Sequence, residues 1–125
     1  MALSWNASES GEAMQSSTDT VIFQLIYESR ASRDFSASEI EALLSSSRIS
    51  NERVGITGIL LYRHGIFTQV LEGPEVAIRA LLEKIGRDPR HVGLTVRLEQ
   101  DIPTRSFPNW SMAYSKKELS DYLKH

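Results

Sequence analysis

Two runs of strand-forming residues, separated by a tight turn, constrain the fold of this chain more than any other feature. The runs are TGILLYR, residues 57–63, and IFTQVLEG, residues 66–73, with His64 and Gly65 between them. Both are rich in branched and aromatic side chains, and a two-residue connection that ends in glycine is typical of a β-hairpin. Pro74, directly after the second run, suits the first turn of a helix. The segment therefore predicts two antiparallel strands followed by a helix.

Strand-like and helix-like patterns continue on both sides of this hairpin. Residues 21–27, 94–100 and 107–114 predict three more strands, the last of which starts after its proline. Ser36, with Glu39 three residues later, predicts the start of a helix. The apolar positions of the two helices recur at helical spacing and are Ile40, Leu43 and Leu44 in the first and Val76, Ile78, Leu81, Leu82 and Ile85 in the second. The order β-α-β-β-α-β-β predicts an α+β fold, a ferredoxin-like sheet with two helices on one face.

The length of 125 residues suits a single domain with short flanking segments. Residues 1–20 are rich in Ser, Thr and Ala without apolar periodicity, and they predict a disordered N-terminal extension. Residues 21–114 predict the folded domain. Residues 115–125 predict a short, weakly amphipathic C-terminal helix or the start of an output segment.

Composition excludes several classes of function. Because the chain has no cysteine, it has no disulfide framework, thiol nucleophile or Cys-ligated metal. Its 14 basic and 16 acidic residues are interspersed, with a net charge of −2, and no basic surface favours nucleic acid. No apolar run reaches the ~18 residues that span a bilayer, so we expect a cytoplasmic protein with neither a nucleic-acid nor a membrane partner. The lack of metal-ligand spacing, of a phosphate-cradling loop and of a hydrolytic triad predicts that the chain is not an enzyme.

Four polar side chains fall where strand and helix periodicity predict core. Tyr27 continues the helix-facing row of the first strand, and Gln69 lies within the equivalent row of the third. Ser47 and Asn51 follow Leu43 at four-residue intervals and extend the apolar stripe of the first helix. A buried amide without partners costs about 1–3 kcal/mol, so these groups need hydrogen bonds. Either neighbouring protein groups or a ligand supplies them, and a planar heterocycle with an imide edge suits amide side chains.

A run of charged and polar residues follows the second helix. Its members are Arg87, Asp88, Arg90 and His91. Such a run is more often a solvated loop, and its alternative role is to hold the phosphate or ribityl chain of a ligand.

The face of the sheet opposite the helices is also predicted to be apolar. Strand alternation directs Ile22, Ile26, Ile66 and Val70 to this side. The predicted C-terminal helix offers little apolar surface to cover it. We therefore expect part of this face to contact a partner subunit, in a homodimer or higher oligomer, or an output element.

Four segments resemble, in order, the signature of the BLUF family of flavin-using blue-light sensors. They are NERVGITGILLY at residues 51–62, FTQVLEGP at 67–74, DPRH at 88–91 and FPNWSM at 107–112. The resemblance covers roughly residues 21–114, and several ordered segments at matching spacing are more specific than one motif. The chain is similar to the short BLUF photoreceptors.

The resemblance implies roles for the polar core residues. Tyr27 matches the light-active tyrosine, and Gln69 matches the glutamine that bridges the tyrosine and the flavin. Asn51 matches the asparagine that holds the imide edge of the flavin, and Ser47 matches a serine near the same ring. Further flavin contacts are implied at Asp88, Arg90, His91, Trp110 and Met112. The implied cofactor is FAD, and FMN or riboflavin could substitute because most recognition is at the ring.

The function that the resemblance implies is that of a blue-light photoreceptor and not of an enzyme. Light would drive electron and proton transfer from Tyr27 and rearrange the hydrogen bonds of Gln69, and the change would pass to an unidentified downstream protein. The alternative is a non-photoactive ferredoxin-like module that binds a ligand or a partner protein. An acylphosphatase-like enzyme shares the topology, but the chain lacks a clear phosphate loop with its arginine.

Overall fold

The fold is given by a computed structural model that describes residues 21–115. Its elements are β1 (Ile22–Ala31), α1 (Ala37–Val54), β2 (Thr57–Arg63), β3 (Ile66–Gly73), α2 (Glu75–Gly86), β4 (His91–Ile102) and β5 (Ala113–Ser115). The predicted extension over residues 1–20 lies outside the described residues, as does the predicted helix over residues 115–125 apart from its first residue, which ends β5. Neither α1 nor α2 has the length and apolar character needed to cross a membrane.

The five strands form one sheet in the order β4-β1-β3-β2-β5. β1 pairs antiparallel with β3 and β4, β2 pairs antiparallel with β3, and β5 lies parallel to β2 at the edge. The connection from β1 through α1 to β2 leaves room for β3 between them, which is the split arrangement of a ferredoxin-like sheet. The predicted element order and α+β fold class are confirmed.

Local sequence signals determine where α1 and the hairpin lie. The Ser36 hydroxyl accepts from the Glu39 backbone N–H at 3.1 Å, and Glu39 Oε1 accepts from the Ser36 N–H at 2.8 Å, so the predicted capping box is confirmed. Gly55 ends α1 in the left-handed conformation, with φ of 78°. At the hairpin tip, His64 and Gly65 have φ of 51° and 77°, as the two central residues of a type I′ turn require.

One predicted core position of α2 is wrong. The prediction places Val76 in the core, whereas its side chain is 74% exposed and the neighbouring Ala77 is buried. Val76 lies two residues before the buried Ile78, roughly 200° around a helix, so it points away from the sheet. Pro74 is predicted to lie in the first turn of α2. The helix instead begins at Glu75, and Pro74 occupies the N-cap position immediately before it.

The last predicted strand is much shorter than its sequence indicates. The pattern over residues 107–114 predicts a strand, whereas β5 has only three residues. Upstream of β5, the backbone N–H groups of Ser106 and Phe107 donate to the carboxylate of Glu72 and not to a neighbouring strand. The Trp110 N–H then donates to the Phe107 carbonyl at 3.3 Å and closes a turn. The alternation of side chains expected in a strand therefore does not hold in this stretch.

Apolar clusters lie on both faces of the sheet, as strand alternation predicts. The helix-side core includes Leu25, Tyr27, Ile40, Leu44, Leu60, Phe67, Leu71, Ile78 and Ile85. The back-face cluster consists of Ile26, Ile59, Leu61, Val70 and Phe107. Each of these five back-face side chains is at most 6% exposed, so this part of the face is covered within the chain. Contact of the back face with a partner subunit stays a prediction.

Candidate functional site

A cavity lies between the two helices and the sheet. Its empty space, counted together with the solvent at its mouth, is ≈ 560 Å³. Its apolar walls are Leu43, Leu44, Leu60, Phe67, Leu81 and Ile85. Its polar lining consists of Tyr27, Ser47, Asn51, Gln69, Asp88, Arg90 and His91. The structure therefore brings seven of the nine residues predicted for the site to one cavity.

Tyr27 and Gln69 form the floor of this cavity because the sheet places them side by side. β1 and β3 pair so that the two residues are directly opposite, and both side chains face the helices. The Tyr27 hydroxyl donates to Gln69 Oε1, and Gln69 Nε2 donates to Met112 Sδ at 3.2 Å. Tyr27 is 3% exposed and Gln69 6%. The amide thus has a defined orientation, with its oxygen toward the phenol and its nitrogen toward the thioether.

The protonation state of Tyr27 follows from its burial. Desolvation raises the pKa of the phenol far above its usual value, and the negative charge of Asp88 raises it further. The phenol is therefore neutral and serves as a hydrogen-bond donor throughout the physiological pH range. A neutral phenol needs an acceptor, and the carbonyl oxygen of Gln69 supplies it.

Asn51 has an unused acceptor inside the cavity. Its Nδ2 donates to the Ser111 carbonyl at 2.9 Å, whereas Oδ1 has no hydrogen-bond partner among residues 21–115. Asn51 is only 4% exposed, so an unpaired oxygen there is unfavourable. One turn earlier, the Ser47 hydroxyl makes only a long bond of 3.4 Å to the Leu43 carbonyl of its own helix. Both α1 side chains thus have hydrogen-bonding capacity left for a ligand.

The structure separates the predicted pair Trp110 and Met112. Met112 is 1% exposed, and its sulfur contacts the Gln69 amide. Trp110 is 41% exposed, stacks on Phe107 at a ring-centroid distance of 5.5 Å, and is not among the described residues that line the cavity. Residues two apart in a strand would share a face, but these two precede β5 and are not in a strand. Of the pair, the structure therefore brings only Met112 to Gln69.

Asp88 and Arg90 form a tight ion pair at the cavity. Arg90 Nη2 lies 2.6 Å from Asp88 Oδ2, and the Arg90 backbone N–H donates to Asp88 Oδ1 at 3.0 Å. Hydrogen bonds from the guanidinium are the main reason that the pKa of Asp88 falls to about 2. The pair therefore presents one fixed carboxylate and one fixed guanidinium to the lining of the cavity.

His91 connects the end of α2 to β1. Its Nε2 lies 2.6 Å from the Ile85 carbonyl, and its Nδ1 lies 2.6 Å from the Ser29 hydroxyl. A carbonyl only accepts, so Nε2 carries the proton, and in the neutral ring Nδ1 accepts from Ser29. Both ring nitrogens are thus already occupied by protein groups, and the imidazole lines the cavity through its ring.

The stabilisation from the Asp88–Arg90 pair is expected to disappear only in strongly acidic solution. The pKa of Asp88 is about 2 when folded and 3.8 for the ordinary side chain, so this contribution is present above pH 3.8 and lost as the pH falls toward 2. Arg90 is 44% exposed, and solvent screening limits the contribution to about 1 kcal/mol or less. Urea unfolding of the wild-type protein and Asp88→Asn should differ near neutral pH and converge near pH 2. A difference that persists at acidic pH would contradict this account.

Two residues, one beside the cavity and one behind it on the back face, were not predicted from the sequence. Arg48 donates from Nε to the Met112 carbonyl at 2.7 Å, next to the Asn51 bond to Ser111. The spacing of residues in α1 does not indicate a role for Arg48. Its partner Met112 lies 64 residues away in a stretch without regular structure. Glu72 is fully buried on the back face, and a charged residue inside an apolar strand is a signal that could have identified it.

The free hydrogen-bonding groups and the apolar walls together fit a planar heterocycle. Asn51 Oδ1, which has no partner among residues 21–115, matches a donor on a ring edge. Gln69 Nε2 has only a weak sulfur acceptor, so it has donor capacity for a ring carbonyl. Leucine and isoleucine side chains from α1 and α2 supply the apolar surface that a flat ring needs on its faces. An edge that carries both a donor and an acceptor, such as an imide, meets all of these requirements.

Comparison with known proteins agrees with a planar heterocyclic ligand. The model of the family BLUF, described as sensors of blue light using FAD, matches residues 22–113. The photoactivated adenylate cyclase subunit beta of Euglena longa is 33% identical over 110 residues, which are 87% of this chain and 13% of that protein. The blue light- and temperature-regulated antirepressor BluF of Escherichia coli (strain K12) is 36% identical over 101 residues, 81% of this chain and 24% of that protein. The chain thus spans at most about a quarter of the length of these two relatives.

Solved structures agree with the sequence comparison. BlrB, a BLUF protein in its dark state, has a TM-score of 0.72 and 36% identity, over 82% of this chain and 78% of BlrB. A bacterial light-regulated adenylyl cyclase has a TM-score of 0.72 and 38% identity, over 76% of this chain and 28% of the cyclase. Sequence, fold and site lead to one conclusion. The chain belongs to the BLUF family of blue-light sensors, whose members bind flavin.

Proposed function

We propose that this chain senses blue light through Tyr27 and Gln69 as its photoactive pair. The observation that carries the proposal is the series of two buried hydrogen bonds, from Tyr27 to the Gln69 amide oxygen and from the amide nitrogen to Met112. An amide has a donor and an acceptor at similar positions, so it has two arrangements that exchange its partners. Such a group, next to a redox-active phenol, suits a reversible switch.

The residues that would hold the flavin lie on α1 and directly after α2. Asn51 Oδ1 and the Ser47 hydroxyl would bind the polar edge of the ring, because both have unused hydrogen-bonding capacity. Asp88 and Arg90 would contact the side chain of the flavin, where the fixed guanidinium suits phosphate. Most of the proposed contacts are to the ring, so FAD, FMN and riboflavin would all fit. Trp110 stays a predicted flavin contact that rests on the family resemblance.

Oxidised flavin, when it is bound and excited by blue light, is a strong oxidant. A phenol that loses an electron becomes strongly acidic, so the proton of Tyr27 would move along its hydrogen bond to Gln69. When the electron and the proton return to Tyr27, the Gln69 amide is left rotated or as its tautomer. Rotation would withdraw the N–H donor from Met112, and the tautomer would weaken it by removing one of its two hydrogens. No covalent bond would form between the flavin and the chain, so the starting arrangement would return thermally.

The light signal would leave the domain through a further protein or domain. The matched relatives include a photoactivated cyclase subunit and an antirepressor, and this chain corresponds to only 13% and 24% of their lengths. This is consistent with a sensor module that has no enzymatic activity of its own and acts on a downstream partner. A homodimer or higher oligomer through the back face is part of the proposal, as is a cytoplasmic location, which rests on the cysteine-free composition.

A spectroscopic measurement tests this function. The purified protein should be yellow, or become yellow when incubated with FAD, and blue light should produce a red shift that reverses in the dark. A protein that stays colourless after incubation with flavin would contradict the proposal, as would a yellow protein whose spectrum does not respond to light.

The role of Asn51 can be tested by its effect on flavin affinity. Asn51→Ala removes the acceptor that would meet the ring edge, and the loss of such a bond should raise the flavin Kd by about tenfold or more. Fluorescence titration with FAD or riboflavin measures this change. Ser45→Ala, which replaces an exposed polar side chain on the same helix, is the matched control and should bind as the wild type does. Equal affinities of the two variants would remove the role assigned to Asn51.

A further inference from the structure

A fully buried carboxylate lies on the opposite side of β3 from the photoactive glutamine. Glu72 is 0% exposed and follows Gln69 by three residues, so its side chain points to the back face. Four groups donate to its two oxygens. They are Gln24 Nε2 at 3.0 Å, the Ser106 N–H at 2.8 Å, the Phe107 N–H at 3.0 Å and the Thr57 hydroxyl at 3.3 Å.

These four donors explain why the position suits a carboxylate and no other side chain. Each of them is a neutral donor, and only a carboxylate has two oxygens with lone pairs enough to accept from all four. An amide of the same shape would place an NH₂ group against donors and lose half of these bonds. Burying a charge is costly, and an apolar residue would stabilise a strand at lower cost. The position therefore serves to hold the two backbone N–H groups that face it, those of Ser106 and Phe107.

The stretch held by Glu72 also reaches the cavity. Residues 105–112 are here called the crossing segment. The segment begins on the back face, where Arg105 donates from Nη1 to the backbone carbonyl of Glu72 at 3.0 Å. In the middle of the segment, the Trp110 carbonyl accepts from the Gly58 N–H at 2.9 Å. The segment ends beside the cavity, where Met112 contacts Gln69.

The cavity end of the crossing segment is held just as firmly. Asn51 donates to the Ser111 carbonyl at 2.9 Å and Arg48 to the Met112 carbonyl at 2.7 Å. A Cβ atom at Gly58 would lie 3.3 Å from Met112 Cε, so the methyl group of the thioether packs directly on the backbone of β2. Because both ends of this short segment are attached, we expect a displacement at Ser106 and Phe107 to reach Met112 through the backbone between them.

We propose that Glu72 is a positioning residue for the photoactive pair. Its carboxylate fixes the crossing segment from the back face and thereby sets the contact between Gln69 Nε2 and Met112 Sδ. The same attachment makes the back face responsive to the cavity, because a rearrangement of Gln69 that releases Met112 acts on the segment that Glu72 holds. The light-dependent part of this inference rests on the proposed function, whereas the positioning of Met112 does not.

Glu72→Gln in the flavin-loaded protein tests the inference in the dark and in the light. Hydrogen exchange at the Ser106 and Phe107 amides should become about tenfold faster or more, because each loses a charge-assisted acceptor. The methyl resonance of Met112 in the dark should move, and the rate of dark recovery should change. The chain has three methionines, so methyl labelling gives few signals, and Met112→Leu assigns the relevant one.

Matched variants make the result decisive. Glu99→Gln, also a carboxylate-to-amide change but 40% exposed on β4, should leave all three measurements at wild-type values. If Glu72→Gln does not fold, Thr57→Val removes one donor to Glu72 and one acceptor of Arg105 and should produce the same changes at smaller size. Faster exchange at Ser106 and Phe107 with an unmoved Met112 resonance would overturn the inference and leave Glu72 a structural residue.

The dark measurement separates this inference from the proposed function. If the wild-type protein bound flavin but showed no red shift, the photoreceptor proposal would fail, while the Met112 resonance of Glu72→Gln would still decide the positioning role. If the red shift were normal and the Met112 resonance did not depend on Glu72, only the positioning role would fail.

Discussion

Replacing Gln69 with leucine is expected to abolish the light-induced red shift while flavin remains bound. Leucine has nearly the volume of glutamine, so the wall of the cavity is preserved, but it has neither a donor nor an acceptor. The Tyr27 hydroxyl loses its acceptor and Met112 loses its donor, so no group is left that exchanges hydrogen bonds. Absorption spectra before and after blue illumination measure the loss, and the flavin content of the purified protein verifies binding.

The control for this variant is another glutamine in the same sheet. Gln100→Leu lies on β4, where the amide donates to Gln24 Oε1 at 2.7 Å outside the cavity, and this variant should keep the full red shift. The unpaired phenol in Gln69→Leu should also lower the free energy of unfolding by about 1–3 kcal/mol. A normal, reversible red shift in Gln69→Leu would remove Gln69 from its central role.

Replacing Tyr27 with phenylalanine is expected to abolish the response for a different reason. The hydroxyl that donates to Gln69 is absent, so the ring has no proton to release along that bond, and phenylalanine is much harder to oxidise than tyrosine. Gln69 remains in place with an unpaired oxygen, and the cavity keeps its shape because only one atom is removed. Flavin should bind, and continuous illumination should produce no stable red shift.

Tyr62→Phe is the matched control for Tyr27→Phe. Its hydroxyl accepts from the Phe35 N–H at 3.2 Å, and its ring lies 4.8 Å from that of Phe67, beside the cavity but not among its lining residues. This variant loses one phenolic hydroxyl near the site and should retain the red shift. If both tyrosine variants respond equally, Tyr27 does not supply the electron and the proton.

The parts of the fold that were predicted correctly depend on short-range signals. The hairpin follows from His64 and Gly65, both of which adopt the left-handed conformation that a tight turn needs. The start of α1 follows from a capping box that involves only Ser36 and Glu39. Each of these signals involves only residues that are neighbours in the sequence. They can therefore be recognised without knowing the tertiary structure.

The convergence of the polar core residues was predictable because two periodicities combine. Alternation in β1 and β3 directs Tyr27 and Gln69 to the helices, and the four-residue spacing in α1 directs Ser47 and Asn51 to the sheet. Once the order of elements is known, these side chains have to meet between the same layers. Their orientations were not predictable from spacing, because they depend on partners such as Ser111 and Met112.

The stretch before β5 could not be predicted because long-range contacts determine its path. The sequence pattern over residues 107–114 indicates a strand, but Glu72, 34 and 35 residues earlier in the sequence, accepts from the backbone N–H groups of Ser106 and Phe107. Neither propensity nor alternation includes such information, and the length of β5 was overestimated for this reason.

The measurement that tests the central claim most directly is the side-chain amide resonance of Gln69 in the dark and under blue light. Protein labelled with ¹⁵N at glutamine side chains, compared with Gln69→Leu, identifies the signal. We expect this resonance to move under illumination together with the Met112 methyl resonance, and both to return with the flavin absorption in the dark. A red shift that forms and decays while the Gln69 and Met112 resonances stay unchanged would contradict the account.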